Sequence, residues 1–203
     1  MDAHDVTDGA IDTLVVYCHP YEGSLCHAVL LAACRGLEAA GRSYRVVDLY
    51  EDGFDPALRA VDLATYMRGT SSDPLVARYQ DLLGRSRHLV LVAPIWWNDL
   101  PAMLKGWVDK VMLVGFSWEA TGHGLHGTLG DRVRSVDLLS TSAAPTVQLE
   151  SAVRPCVLEA TFAQLGIPER CWHNFGGMDQ STQAQREAWL GRVERLMARG
   201  DGC

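Results

Sequence analysis

Short apolar segments alternate with helix-like segments along this chain, and this alternation restricts the possible folds more than any other feature. Each apolar segment has the length of a strand, and the segments between them carry apolar residues at helical spacing. The predicted strands are 11–18, 44–49, 88–93, 132–139 and 171–175. The predicted helices are 24–40, 74–85, 101–114, 147–165 and 182–198. Because buried apolar strands that alternate with helices form parallel sheets, we expect one α/β domain with helices on both faces.

Length and charge exclude several classes of protein. The 203 residues, 48% of them hydrophobic, suffice for one full core. We therefore expect a loose polar tail at 1–10 and a single domain at 11–203. The formal net charge of −7 without a basic cluster argues against nucleic-acid binding and against attraction to an anionic membrane. No apolar run is long enough to span a bilayer, and the acidic N-terminus does not resemble a signal peptide, so we expect a cytoplasmic protein.

The cysteines show no metal-binding pattern. They lack CxxC spacing, and in a cytosolic chain we expect free, mostly buried thiols and no bound metal. The six positions are Cys18, Cys26, Cys34, Cys156, Cys171 and Cys203.

The loop after the first predicted strand could hold an anion. In open parallel sheets, ligands bind beyond the carboxyl ends of the strands. The loop CHPYEGSLCH, residues 18–27, has neither the GxxxxGK[ST] nor the GxGxxG pattern. It places Gly23 and Ser24 at the start of a helix, where free N–H groups favour negative charge. Ser24 would donate to a phosphate oxygen or only cap its helix, and His19 would be an anion donor or a surface turn residue.

The loop after the third predicted strand begins PIWWNDLPAMLKGWVDK, residues 94–110. Adjacent residues of a strand point to opposite faces, so a core needs only one of Trp96 and Trp97. The other ring would stack on a flat aromatic ligand. Alternatively, both rings pack beneath neighbouring loops.

Two segments carry a family resemblance. HPYEGSLCHAVLLAACRGLEAAGRSYRVVDLYEDGFDPAL and PIWWNDLPAMLKGWVDKVMLVGFSWE resemble the NAD(P)H:quinone oxidoreductases with a flavodoxin-like fold, the group of DT-diaphorase and the potassium-efflux ancillary oxidoreductases. The resemblance runs from about residue 12 to 142, and its PxWW…PAxLKGWxDxV pattern is specific. It implies a three-layer sandwich with a five-stranded parallel sheet in the order 2-1-3-4-5, a bound flavin and a homodimer.

The resemblance also implies which residues contact the flavin. Those expected near its phosphate are His19, Ser24, Leu25 and Cys26. Those expected along the ring are Pro94, Ile95, Trp96, Trp97 and Asn98. The backbone of the turn after the fourth strand would approach the polar edge of the ring through Ser140, Thr141, Ser142 and Ala143.

The chain departs from the family pattern in the loops. Cys26 stands where many relatives have Asn. Relatives often have Thr-Thr-Gly-Gly after the fourth strand, whereas this chain has Ser-Thr-Ser-Ala at 140–143, and Ala143 disfavours a positive φ. Thr146, Val147 and Gln148 stand where some members have Tyr and His, so no catalytic residue is assigned.

Other residues have plainer expected roles. We expect Lys105 at the surface, Gly106 in a close helix contact, Trp107 in the core or a dimer interface, and His173 as a satisfied core or edge residue. Residues 50–74 are predicted to be a long connection without a helix or strand, and the Gly- and His-rich segment 115–130 is predicted to be a loop. In it, His123 and His126 would belong to a plain solvent loop, a substrate-side lid or, with least support, a metal site.

The resulting functional hypothesis is a flavoprotein that binds FMN, with FAD as the alternative. NAD(P)H would deliver hydride to the flavin, and a quinone or similar electrophile would then take it at the same site, in a ping-pong reaction. Two rival hypotheses are a flavin-bearing regulatory subunit of a membrane transporter and a flavodoxin-type electron shuttle. No nucleic acid and no membrane insertion are expected.

Overall fold

The computed structural model describes residues 9–200, so Cys203 and most of the predicted tail lie outside the described residues. The strands are β1 (Ile11–Tyr17), β2 (Tyr44–Asp48), β3 (Ser86–Pro94), β4 (Trp118–Thr121), β5 (Gly124–Gly127), β6 (Ser135–Ser142) and β7 (Glu169–Gly176). The helices are α1 (Leu25–Ala39), α2 (Ala60–Tyr66), α3 (Pro74–Gly84), α4 (Ala102–Val111), α5 (Thr146–Val153) and α6 (Gln183–Arg199). None of the helices in the described part of the chain has the length and apolar character needed to cross a membrane.

The main sheet confirms the predicted topology. Its five strands are parallel and lie in the order β2-β1-β3-β6-β7, which is the expected order 2-1-3-4-5. Alternate residues of the strands face opposite sides. On one side, residues such as Leu14 and Leu91 pack against α3, α4 and α5; on the other, residues such as Val15 and Val92 pack against α1 and α6.

Two predicted loops contain secondary structure. The connection 50–74 includes α2, and the segment 115–130 includes the antiparallel hairpin of β4 and β5. Both predictions were wrong for the same reason. α2 has no buried residue, and both hairpin strands are largely exposed, so neither has the apolar periodicity by which an element is recognised in a sequence.

The helix predicted at 147–165 is interrupted. α5 ends at Val153, and residues Arg154–Phe162 form a wider π-helical segment. Pro155 lacks the N–H group that would bond to the preceding turn, which accounts for the change of helix type at this point.

α4 holds its sequence-predicted residues as expected, with one difference. Trp107 is completely buried, which confirms its place in the core, and Lys105 pairs with Asp109 on the surface. Gly106 makes a close contact, but with a loop instead of a helix: an added Cβ would lie 2.3 Å from the Pro56 carbonyl oxygen.

A buried carboxylate connects β3, β6 and β7, which are neighbouring strands of the sheet. His88 on β3 and His173 on β7 donate from their Nε2 atoms to Asp137 on β6, at 2.7 and 3.1 Å. Because a carboxylate can only accept, each imidazole carries its proton on Nε2. Burial by itself raises the pKa of Asp137, but the hydrogen bonds from the two histidines outweigh it and hold this pKa below its ordinary value. The expected role of His173 as a satisfied residue is confirmed.

The cysteines differ from expectation at one position. Cys18 and Cys26 are free and buried, and burial raises the pKa of the Cys18 thiol to about 12. Cys34 is partly buried and Cys156 is exposed, both as free thiols. Cys171 is disulfide-bonded, so the expectation of free thiols is wrong there. Asp137, Cys171 and His173 have potential ligand atoms within 4.8 Å of one another, but a disulfide sulfur is not a thiolate ligand.

Candidate functional site

Three loops meet beyond the carboxyl ends of β1, β3 and β6. The backbone N–H of Ile95 donates to the Thr141 carbonyl at 2.8 Å, which joins the loop after β3 to the end of β6. The imidazole of His19, in the loop after β1, lies 6.0 Å from the Trp96 ring, centroid to centroid. The loops that were singled out from the sequence therefore form one continuous edge.

A tight turn displays the two tryptophans. Trp96 and Asp99 exchange both backbone hydrogen bonds, at 3.0 and 3.1 Å. Trp97 and Asn98 form the corner with φ values of 51° and 66°, in the left-handed region that suits a two-residue hairpin turn. Asn tolerates this region, but for a bulky residue such as Trp97 it carries strain.

Neither indole ring belongs to the core. Trp96 is 43% exposed and Trp97 is 99% exposed. The reasoning that a core would take one of the rings is wrong because the chain reverses at this turn instead of continuing as a strand. Trp96 is nevertheless the more covered of the two.

A cleft of about 460 Å³ opens between the tryptophan turn and the turn after β6. This volume lies within the range of about 300–1,000 Å³ that is usual for small-molecule sites. Its lining consists of Ile95, Trp96, Trp97, Asn98, Ala143, Ala144 and Leu149. These side chains are uncharged and mostly apolar, a composition that suits a flat aromatic ligand.

The turn after β6 contributes Ala143 and Ala144 to the lining of this cleft. Within residues 9–200, the N–H groups of Ala143 and Ala144 have no acceptor. Ala143 does not adopt a positive φ, so the turn differs from the glycine turn of the family pattern. The close backbone approach occurs instead at Gly176 on β7, where a Cβ would lie 2.5 Å from the Thr146 nitrogen.

The start of α1 has free donors as well. Ser24 caps the helix by accepting from the His27 N–H at 3.0 Å, which leaves its own hydroxyl proton available. The N–H groups of Leu25 and Cys26 have no acceptor in the described part of the chain, as is usual at a helix N-terminus. Burial raises the pKa of the neighbouring Tyr17 phenol, and the nearby Ser24 hydroxyl partly offsets this rise. The Tyr17 hydroxyl itself has no hydrogen-bond partner among the described residues.

His19 can act as a neutral donor at this edge. Its Nδ1 lies 3.1 Å from the Tyr21 nitrogen and 3.2 Å from the Tyr21 carbonyl oxygen, so each tautomer has a backbone partner, and the tautomer that accepts from the Tyr21 N–H carries its proton on Nε2. Burial lowers the pKa of His19, which favours the neutral imidazole.

The sequence-predicted residues divide into two groups. The first group has accessible side chains: Trp96, Trp97, Asn98 and Ala143 are exposed at the cleft, and His19, Ser24 and Leu25 are partly exposed at or near the start of α1. Those with buried side chains are Cys26, Pro94, Ile95, Ser140, Thr141 and Ser142, although Ile95 still reaches the cleft wall. Ala144 and Leu149 line the cleft and were not predicted, because an alanine in a turn and a leucine on a helix carry no specific signal.

His123 and His126 lie in the exposed hairpin, where His126 is opposite Glu119. This hairpin does not line the cleft. Whether it closes over a bound substrate as a lid stays a prediction.

A flavin fits the donors and surfaces that these loops present. Free N–H groups and the Ser24 hydroxyl at the start of α1 suit its phosphate. Exposed indoles suit its ring, and the unpaired N–H groups of Ala143 and Ala144 suit its polar edge.

Comparisons with known proteins point in the same direction. A family model described as flavodoxin-like fold matches residues 12–196. The ribosyldihydronicotinamide dehydrogenase [quinone] of Rattus norvegicus is 28% identical over 156 residues, which cover 67% of this chain and 64% of that protein. The chain thus spans somewhat less than two thirds of this curated relative.

Solved structures resemble nearly the whole chain. The NAD(P)H:quinone oxidoreductase from Methanothermobacter marburgensis has a TM-score of 0.83 at 24% identity, over 94% of this chain and 97% of that one. An FMN-dependent NADH-azoreductase from Bacillus anthracis, in complex with FMN, has a TM-score of 0.72 at 18% identity, over 93% and 98% of the two chains. At these identities the likeness establishes the fold.

Proposed function

Because the chain belongs to the family with the flavodoxin-like fold, we propose that it is a flavin-dependent NAD(P)H:quinone oxidoreductase that binds FMN. The observation that carries the proposal is the cleft, with exposed indole rings on one wall and unpaired backbone donors on the other. The names of the relative from Rattus norvegicus and of the similar structure from Methanothermobacter marburgensis support this reaction class, and the FMN complex of the azoreductase supports the choice of FMN over FAD.

Each loop has a separate task in this proposal. Ser24 and the N–H groups of Leu25 and Cys26 bind the phosphate, and His19 donates from Nε2 beside it. Trp96, Trp97 and Ile95 hold the ring, while the Ala143 and Ala144 N–H groups stabilise negative charge at its polar edge. The bound flavin would supply the hydride chemistry.

One cleft would serve both substrates in turn, which corresponds to a ping-pong reaction. The lining has no charged side chain, so a nicotinamide ring and a quinone would each be held there by stacking. We include a homodimer in the proposal, because a second copy would cover apolar side chains such as Val61, Leu63 and Met67, which are exposed in this chain.

The first test is cofactor binding and turnover. The purified protein, mixed with FMN, should bind it with a dissociation constant below about 100 μM, and should then oxidise NADH or NADPH with a simple quinone as acceptor. Sedimentation of the same sample should give the mass of a dimer. Absence of binding to both FMN and FAD would refute the flavin assignment, and flavin binding without steady turnover would refute the enzymatic part.

Ser24→Ala is expected to weaken FMN binding by about 1 kcal/mol, the contribution of one hydrogen bond, or more if the hydroxyl contacts a charged phosphate. The same change removes the cap of α1, which costs about 1 kcal/mol of stability in both forms of the protein. Melting temperatures with and without FMN separate the two effects. A Tm that falls equally in both forms, with unchanged FMN affinity, would leave Ser24 as a cap only.

A further inference from the structure

A closed set of side-chain hydrogen bonds lies behind the wall of the cleft. The indole Nε1 of Trp172 donates to the Ser140 hydroxyl at 2.8 Å, and this hydroxyl donates to Asn174 Oδ1 at 2.8 Å. The other end of the same amide, Nδ2, donates to the hydroxyls of Ser142 and Thr146, each at 2.9 Å. Asn174 is therefore the centre of a network that joins β7 to β6 and to the start of α5.

One set of donors and acceptors satisfies every group in this network. The Trp172 indole N–H can only donate, so the Ser140 hydroxyl accepts from it and donates its own proton to the Asn174 amide oxygen. The amide NH₂ then faces Ser142 and Thr146, which leaves both of their protons for backbone oxygens. Ser142 donates to the Ala144 carbonyl at 2.8 Å, and Thr146 lies 3.5 Å from the Asn174 carbonyl.

The network holds both ends of one short turn. Ser142 is the last residue of β6 and Thr146 is the first residue of α5, so the two bonds from Asn174 enclose residues 143–145. The absence of a side chain at Gly176 lets β7 lie directly against this turn. The segment so enclosed contains Ala143 and Ala144, which line the cleft and whose N–H groups have no acceptor within residues 9–200.

We propose that Asn174 is a positioning residue for the proposed oxidoreductase site, whose amide fixes the turn 142–146 and thereby the donors that face the polar edge of the flavin ring. This inference rests on the proposed function. Donors that are held in place before the ligand arrives stabilise developing charge without reorganisation, and this requires a supporting layer with little freedom.

Asn174→Ala tests the proposal against Val133→Ala as the control. Val133 is fully buried and is neither part of the cleft lining nor a member of the hydrogen-bond network, so its truncation is expected to lower stability without altering the turn. We expect Asn174→Ala to raise the dissociation constant for FMN about 10-fold, the effect of one or two lost hydrogen bonds. It should also lower the midpoint potential of the bound flavin, because donors that are less well fixed stabilise the negative charge of the reduced ring less. Val133→Ala should change neither quantity at a matched loss of stability.

A second variant tests the proposal if Asn174→Ala does not fold, and a second measurement tests it if no flavin binds. Thr146→Val keeps the shape of the side chain and removes one acceptor, so it should shift both flavin readouts in the same direction by a smaller factor, even if Asn174→Ala does not fold. Unchanged flavin affinity and potential in these variants would overturn the proposal.

If the wild-type protein binds no flavin, the proposed function fails. Hydrogen exchange of the backbone amides then tests whether Asn174 fixes the turn 142–146. Faster exchange at Gly177 and Gln148, whose N–H groups bond to Ala144 and Pro145, would support the fixing role of Asn174. Exchange equal to that of Val133→Ala would overturn it.

Discussion

Asp137→Ala is expected to lower the free energy of unfolding at pH 7 by about 2–6 kcal/mol, because it leaves two largely covered imidazole N–H groups without acceptors at about 1–3 kcal/mol each. The donors are His88 and His173, and the carboxylate between them is only 3% exposed. Urea unfolding with linear extrapolation measures the change. A loss below about 1 kcal/mol would show that water or a rearranged side chain replaces the carboxylate.

Asp137→Asn is the matched variant, because it keeps the shape of the side chain but has a single acceptor oxygen. Its loss should be smaller than that of Asp137→Ala. The pKa of Asp137 is lowered on folding, so its contribution to stability is present above its ordinary value of 3.8 and is lost as the pH falls through the lower pKa of the folded state. The difference in stability between wild type and Asp137→Asn should therefore shrink as the pH falls below about 5.

Trp97→Gly is expected to weaken ligand binding at the cleft while leaving the fold equally or more stable. The ring is 99% exposed, so its removal sacrifices almost no buried surface, and glycine adopts the φ of 51° without strain. In the proposed function the ring is a stacking surface, and its loss should reduce affinity for flavin, or apparent affinity for NAD(P)H and acceptor, by about 1–3 kcal/mol by analogy with base–aromatic stacking. The measurements are FMN titration, steady-state kinetics and urea unfolding of the same variant.

Trp96→Ala distinguishes the role of the Trp96 ring from that of the Trp97 ring. Trp96 is half covered, with the His19 ring 6.0 Å away, so we expect some loss of stability, but less than the about 3–5 kcal/mol of a buried tryptophan. Flavin should quench the fluorescence of the wild-type protein, and Trp97→Gly should remove most of that change. If Trp96→Ala removes it instead, the stacking role belongs to Trp96. A marked destabilisation by Trp97→Gly, without loss of binding, would show that the ring is structural.

The order of the elements could be read from local patterns. The central strands are buried on both faces, so they appear as continuous apolar runs, and α1, α4 and α6 present apolar residues at helical spacing. α2 and the β4–β5 hairpin were not predicted, because their side chains face solvent and their sequences show no apolar periodicity. A sequence indicates an element most clearly where that element must bury an apolar face.

Residue type and short spacing were enough to predict the parallel α/β fold and the position of the two principal loops. They did not indicate where the polar side chains point, which depends on how the strands pair. Ser140 and Ser142 turn away from the cleft toward Asn174, which follows Ser140 by 34 residues, and Asp137 faces a histidine that precedes it by 49. Each of these polar groups is satisfied by a partner on another strand. Strand pairing selects that partner among many residues of the same type, and no local pattern encodes the selection.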